Sequence, residues 1–396
     1  MAWGEPQAEI NYGGRVTDDK DRRLLNTTVR TYTCRQVLDK GYLFSESGLY
    51  FSPEVDTHAA FLEYIRGLPL NPGPEAFGLH DNADITCAQN ETFALMDDLL
   101  LCQPKSASAG GSKKDDEIIA LAKDILERIP PALDILKAAA KYPTDYHQSM
   151  NTVLTQEIIR FNNLLKAINS SLKNLQKAIK GMVAMSSDLD ALGSAMFNNQ
   201  VPAAWSNKAY PSLKPLAPWL IDLEQRLSFI NTWVDHGHRP SYWISGFFFP
   251  QAFLTANLQN YARKHQYAID KVSFDHIFLD EVTKDTATAP DDGCIIYGLY
   301  MEACRWDYTL HQLADPIAKE LFSEAPLIWL KPLYEREPRD PTTIYDAPIY
   351  KTLARAGVLS TTGHSTNFVL MLEAPTDRPQ SFWVKRAAAF FCALKF

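Results

Sequence analysis

Nine apolar residues spaced alternately four and three apart constrain this chain more than any other feature. They are Leu154, Ile158, Phe161, Leu165, Ile168, Leu172, Leu175, Ile179 and Met182. A 3.5-residue period held over about four heptads belongs to a helix with one continuous apolar stripe. Lys166, Lys173, Lys177 and Lys180 fall off that stripe. A helix of about 30 residues is about 45 Å long, the size of a strut across a large assembly. Two coverings fit the stripe: neighbouring helices of the same polypeptide, or a second polypeptide in a coiled coil.

The surroundings of the stripe are also helical. Ile118, Ala122, Ile125 and Ile129 share one face, and Pro130-Pro131 ends that segment. Pro202, Pro211, Pro215 and Pro218 break the chain before LAPWLIDLEQRLSFINTWV resumes helix, and Pro250 opens another at PQAFLTANLQNYARKHQ. Residues 116–266 therefore read as helical. From about residue 270 strand-like runs alternate with turns: VSFDHIFL, GCIIYGLYMEACRW, APLIWLKPLY, APIYKTLA, NFVLMLEA and SFWVKRAAAFFCALKF. Six such candidates predict a small antiparallel β-barrel or sandwich over 270–396. Helices first and strands last make the class α+β.

Residues 1–102 read as shorter elements. A helix is expected in DDKDRRLLNTTVRTY after Thr17, another in PEVDTHAAFLEYIRG opened by Pro53, and a third from Asp84 or Thr86 to about Cys102. Residues 103–115, QPKSASAGGSKKD, hold no large apolar side chain and read as a flexible loop. At 396 residues the chain is long enough for more than one domain.

The chemistry is sparse. A net charge of −8 argues against nucleic acid as the main partner. The six cysteines are dispersed, with no CxxC pair, as in a reducing compartment. MAWGEPQAEI has no signal-peptide pattern, and the most apolar run, Ile244 to Leu254, is about half a membrane span. The reading is a soluble intracellular protein without a membrane partner. Neither GxxxxGK[ST] nor a strand–GxGxxG–helix unit is present, so the chain alone should not turn over ATP. Asp18, Asp19 and Asp21 lack the glycine and closing glutamate of a calcium loop and suit a helix N-terminus. His236 and His238 lack a further metal ligand at a recognisable spacing. Ser360 and Ser365 beside His364 do not form a nucleophile elbow, and a turn explains them better than a hydrolase does. No residue is assigned a catalytic, cofactor-binding or metal-ligating role, and no cofactor is expected. The aromatic run Tyr242 to Phe249 is either an exposed patch for a partner or a buried joint between domains.

Several long phrases carry a family resemblance. INYGGRVTDDKDRRLL (10–25) and FGLHDNADIT (77–86) resemble segments of the sixth AAA+ module of dynein heavy chains. YWISGFFFPQAFLTANLQNYARKHQYAID (242–270) is similar to the dynein C-terminal region, in its axonemal form more than its cytoplasmic one. DDGCIIYGLYMEACRWD (291–307), APIYKTLARAGVLSTTGHSTNFVL (347–370) and FWVKRAAAFFCALKF (382–396) continue the likeness. The resemblance implies that residues 1–102 are the small, lid part of the sixth module. Residues 116–396 would then be the C-terminal region, ending in a β-barrel of about six strands. It implies a fragment of a much longer motor, without the ATP-hydrolysing modules, linker, stalk or microtubule-binding domain. The protein would be a non-catalytic element bracing the AAA+ ring of an ATP-driven, minus-end-directed microtubule motor of cilia and flagella. Its partners would be the remainder of the heavy chain and ring, and other axonemal dynein subunits or docking proteins. Its location would be the cytoplasm and the axonemal cytoskeleton. The alternative is a protein-binding module of the axoneme acting through the barrel, with Trp306, Trp329 and Trp383 as exposed anchors.

Overall fold

The computed structural model describes residues 8, 10–12, 14–102, 111–358 and 365–395. The first helix, α1 (Asp19–Thr33), begins at Asp18, whose carboxylate accepts the Lys20 N–H at 2.9 Å. The second, α2 (His58–Gly67), starts five residues after Pro53, because Thr57 supplies the cap. Helix α3 (Asn82–Cys102) follows. Neither α1 nor α2 buries a residue.

Residues 103–110 of the expected loop lie outside the described residues. Its end, 111–115, is not loop but the first turn of α4 (Gly111–Arg128). After the Pro130-Pro131 stop comes α5 (Ile135–Lys141), then α6 (Ser149–Ile179), the helix of the apolar stripe. Asn162 on α6 holds the turn between α4 and α5, accepting from Leu133 N–H at 2.8 Å and donating to Leu133 C=O at 2.9 Å. Eight of the nine stripe positions lie in α6. Seven are at most 1% exposed, against α4 and against α7 (Ser187–Phe197), α9 (Leu216–His236) and α10 (Pro250–His265). The short α8 (Ala203–Ser206) also packs there. The covering is intramolecular. Met182, expected on the stripe, is instead 73% exposed. Gly181 takes a left-handed φ of +72° and ends the helix before it, with Met182 N–H returning to Lys177 C=O at 2.9 Å.

The strand region departs from the expected barrel. The described residues hold eleven strands in open, mixed sheets. They are β1 (Ser241–Trp243), β2 (Val272–Leu279), β3 (Cys294–Tyr297), β4 (Tyr300–Glu302), β5 (Arg305–Asp307), β6 (Gln312–Ala314), β7 (Phe322–Glu324), β8 (Leu327–Tyr334), β9 (Ile344–Thr352), β10 (Phe368–Pro375) and β11 (Ala389–Ala393). One sheet runs β1-β3-β8-β2 and the other β10-β9-β11-β4-β7, with a β5-β6 hairpin beside them. The pairs β1·β3 and β9·β11 are parallel, so the sheets are not antiparallel throughout. The run SFWVKRAAAFFCALKF is a short helix, α11 (Gln380–Lys385), before it becomes β11. The run GCIIYGLYMEACRW breaks at Gly298 (φ +85°), where a Cβ would lie 2.3 Å from the Trp243 ring. There β3 leaves one sheet and β4 enters the other.

The two sheets fail to close between their edges β2 and β10. Side chains span that gap in place of a backbone ladder. Arg336 contacts Asp275 of β2 at 3.3 Å and Glu373 of β10 at 2.8 Å, and Arg339 meets Asp275 at 2.5 Å. Glu373 N–H donates to His276 Nδ1 at 3.3 Å. One buried apolar cluster runs from Ile118 to Cys392 and joins the helical and strand parts. No residue of 14–102 belongs to it.

Candidate coupling interface

The aromatic run resolves as a buried joint. Tyr242, Ile244 and Phe247 are at most 5% exposed, and the Phe247 and Phe253 rings stack at 4.5 Å. Here the backbone enters the sheet as β1 and leaves as α10. Pro250 opens α10, having no N–H to leave unpaired. The preceding donors do need a partner, and Glu157 reaches across from α6 to supply it. Its carboxylate accepts Phe248 N–H at 2.6 Å and Phe249 N–H at 3.0 Å. Burial pushes the Glu157 carboxyl up to about 7, against the downward pull of those two N–H groups, Arg160 and Arg226.

A second buried charge pair braces the same joint. Arg226 of α9 donates to Asp222 at 2.6 Å, lies over the Tyr210 ring at 3.7 Å and reaches Phe247 C=O at 3.4 Å. Burial raises the Asp222 carboxyl, but Arg226 and Lys214 outweigh it and hold it below its ordinary value. A lone buried charge is costly, whereas this one is paired and hydrogen-bonded on several sides.

The N-terminal helices meet the sheets through polar contacts. Asn82, at the start of α3, uses its whole amide: Nδ2 donates to Ile317 C=O at 3.0 Å and Glu320 C=O at 2.9 Å, and Oδ1 accepts Lys319 N–H at 2.7 Å. Lys319 is held at φ +72° in that grip. On α1, Arg23 donates to Asp346 C=O at 2.8 Å and sits over the Tyr345 ring, and Lys20 lies 3.8 Å from the centre of the Phe368 ring.

The residues singled out for chemistry lie apart. Asp18, Asp19 and Asp21 form the start of α1. His236 ends α9, and His238 Nδ1 pairs with Tyr242 OH at 3.0 Å. Ser360 and His364 lie outside the described residues, while Ser365 is 8% exposed and bonds Asn367 N–H at 3.2 Å. Among the described residues no cluster of three His, Cys, Asp or Glu groups gathers to hold a metal, and no helix is long and apolar enough to cross a membrane. Trp306 and Trp383 are interior, bonded to Asp280 at 2.9 Å and Thr376 at 2.8 Å. Trp329 is half-buried and donates to Asp292 C=O at 3.0 Å. The three do not form an exposed anchor set.

Sequence reasoning passed over Glu157, Arg226 and Asn82. A signal existed for the first two. Glu157 lies three residues after Leu154 and four before Phe161, on the apolar face, and Arg226 lies three after Leu223 and four before Ile230. A charge on an apolar stripe marks a buried pair. Asn82 carried no such mark, because its partners are backbone atoms about 235 residues away.

Comparison with known families divides the sequence within α3. A family model of the C-terminal domain of dynein heavy chains matches residues 89–392, and one of the AAA lid domain of dynein heavy chains matches residues 6–83. The sequence is 50% identical over 390 residues to the dynein axonemal heavy chain 1 of Rattus norvegicus and to that of Homo sapiens. It is 45% identical over 389 residues to the dynein axonemal heavy chain 3 of Mus musculus. These alignments span 98% of this protein and 9% of each relative.

Proposed function

The protein belongs to the dynein heavy chain family, and from that premise we propose that it is a non-catalytic C-terminal element bracing the AAA+ ring of an axonemal motor. In this reading residues 1–102 are the small part of the sixth module, and the C-terminal region includes everything from the start of α4 at Gly111 onward. The remainder of the heavy chain is the partner, and the axoneme of a cilium or flagellum is the location. The parent motor would be ATP-driven and move along microtubules, its phosphate-binding modules lying outside these 396 residues.

The observation that carries the reading is the grip of Asn82 on the 317–320 backbone. Through it, displacement of the lid helices pulls on the loop that leads into β7, whose sheet shares one core with the 31-residue helix α6. Interiors are close-packed and transmit strain. The test is Asn82→Ala with Arg23→Ala in a full-length heavy chain that ends in this sequence. Microtubule gliding should slow by about half or more while ATP turnover persists, because coupling is lost and chemistry is not. Unchanged gliding would overturn the bracing reading. ATP binding by the purified 396-residue protein would overturn its non-catalytic part.

A further inference from the structure

Beyond Arg160, the exposed face of α6 has no role in the joint, and its charges are unusual. Residues 158–187 hold five cations and no carboxylate, within a protein of net charge −8. Lys166, Lys173, Lys177 and Lys180 lie seven, four and three residues apart, which places them on one stripe of about 21 Å within an arc of about 60°. All four are exposed. None makes an ion pair among the described residues, whereas neighbouring α4 pairs Lys123 with Glu127 and Asp124 with Arg128. Like charges at these spacings destabilise a helix by a few tenths of a kcal/mol each. The macrodipole favours cations only within the last turn, so it covers Lys177 and Lys180 but not Lys166 or Lys173. Beyond Lys180 the stripe runs into an apolar tip: Met182, Val183 and Met185 are 73%, 48% and 47% exposed.

We propose that this lysine stripe and its methionine tip form a docking surface for an acidic polypeptide segment that carries apolar side chains at one end. Alternate side chains of an extended segment stand about 6.6 Å apart, close to the rise of about 6 Å between Lys173 and Lys177. Methionines adapt to differing apolar partners. A lipid surface fits poorly, because the apolar face of α6 is packed in the core and the exposed positions between the lysines are Asn and Ser. A nucleic acid fits poorly too, because residues 162–187, which carry the stripe and its tip, include no aromatic side chain for base stacking. The surface stands on its own geometry and does not depend on the bracing role.

The test is fluorescence anisotropy of the 396-residue protein with a labelled polyglutamate peptide ending in two leucines. Binding should weaken with salt and fall about tenfold or more in the variant K166E/K173E/K177E/K180E. The charge-neutral set K166Q/K173Q/K177Q/K180Q should lose affinity in the same sense. K208E/K284E, at exposed lysines elsewhere, should bind as the parent does. M182S/M185S should bind the leucine-ended peptide no better than plain polyglutamate. Failure of the parent protein to bind the peptide overturns the proposal. So does wild-type affinity in either quadruple variant, or binding to phosphatidylserine vesicles or single-stranded DNA but not to the peptide.

Discussion

Residues 14–102 and 111–395 are stabilised by different physics. The second region holds one apolar cluster in which Trp205, Phe161, Trp233 and Phe390 are fully buried. The first has helices without a buried residue and exposes Leu38, Ile65 and Leu70, the last completely. It keeps its place by packing α1 against α11 and by hydrogen bonds and cation–π contacts to the sheets and to the β6–β7 loop. Hydrophobic burial supplies most folding free energy, so a region without it depends on what it touches. The contrast teaches that residues 14–102 take their stability from the contacts they make, while residues 111–395 carry an apolar core of their own.

The sharpest way to break this comparison is to separate the halves. Residues 111–396 expressed alone should unfold in one cooperative transition by circular dichroism, and residues 1–102 alone should scatter light in a concentration-dependent way. A cooperative, monomeric 1–102 piece would end the contrast. Next in size is Glu157→Ala. It strands two buried N–H groups at the joint and should cost about 3 kcal/mol, read from denaturant midpoints at constant m. The same change in an exposed carboxylate such as Glu127 should cost far less.

The pH dependence sharpens the comparison further. The Glu157 carboxyl rises from 4.5 unfolded to about 7 folded, so its contribution is full below about 4.5 and is lost as pH rises through about 7. His276 goes the other way. Burial lowers it from 6.5 to about 4, with Glu373, Arg336, Asp275 and Arg339 around it. Its contribution is full above about 6.5 and is lost as pH falls toward about 4. The two slopes oppose each other between pH 4.5 and 6.5. Glu157→Gln should unmask the histidine, so that thermal stability climbs across that window, and a flat profile in the variant would contradict the assignment.

Asn82→Ala should loosen the lid by about 2 kcal/mol, with faster hydrogen exchange at Lys319 and no change along α6. The smallest effect belongs to the lysine stripe. Lys173→Glu, one turn clear of the helix end, replaces a like-charge neighbour of Lys177 with an ion pair in the favourable order and should stabilise the protein by about 0.5 kcal/mol, a gain that high salt removes.

Much of the helical part was legible because its signals are local. The stripe from Leu154 to Ile179, the Pro130-Pro131 stop and the Pro250 start each act over one or two turns, and each lies where the spacing predicts. Gly181 was legible too, but a strict period carried the reading past it to Met182. In the strand part the runs at 272–279, 327–334 and 368–375 were visible by composition. Their partners were not, because pairing joins residues such as Ser241 and Ile295 that no local pattern links.

The sequence by itself determined the family, the helix-then-strand order and the long amphipathic strut, since these follow from residue order and a repeating period. The tertiary structure alone decided that the sheets stay open, that Arg336 and Arg339 bridge the gap between β2 and β10, that Glu157 serves a helix about ninety residues away, and that Asn82 grips a distant loop. The physical reason is that long-range polar contacts depend on where two backbones happen to meet. Periodicity states which face of an element is buried, and only the assembled fold states against what.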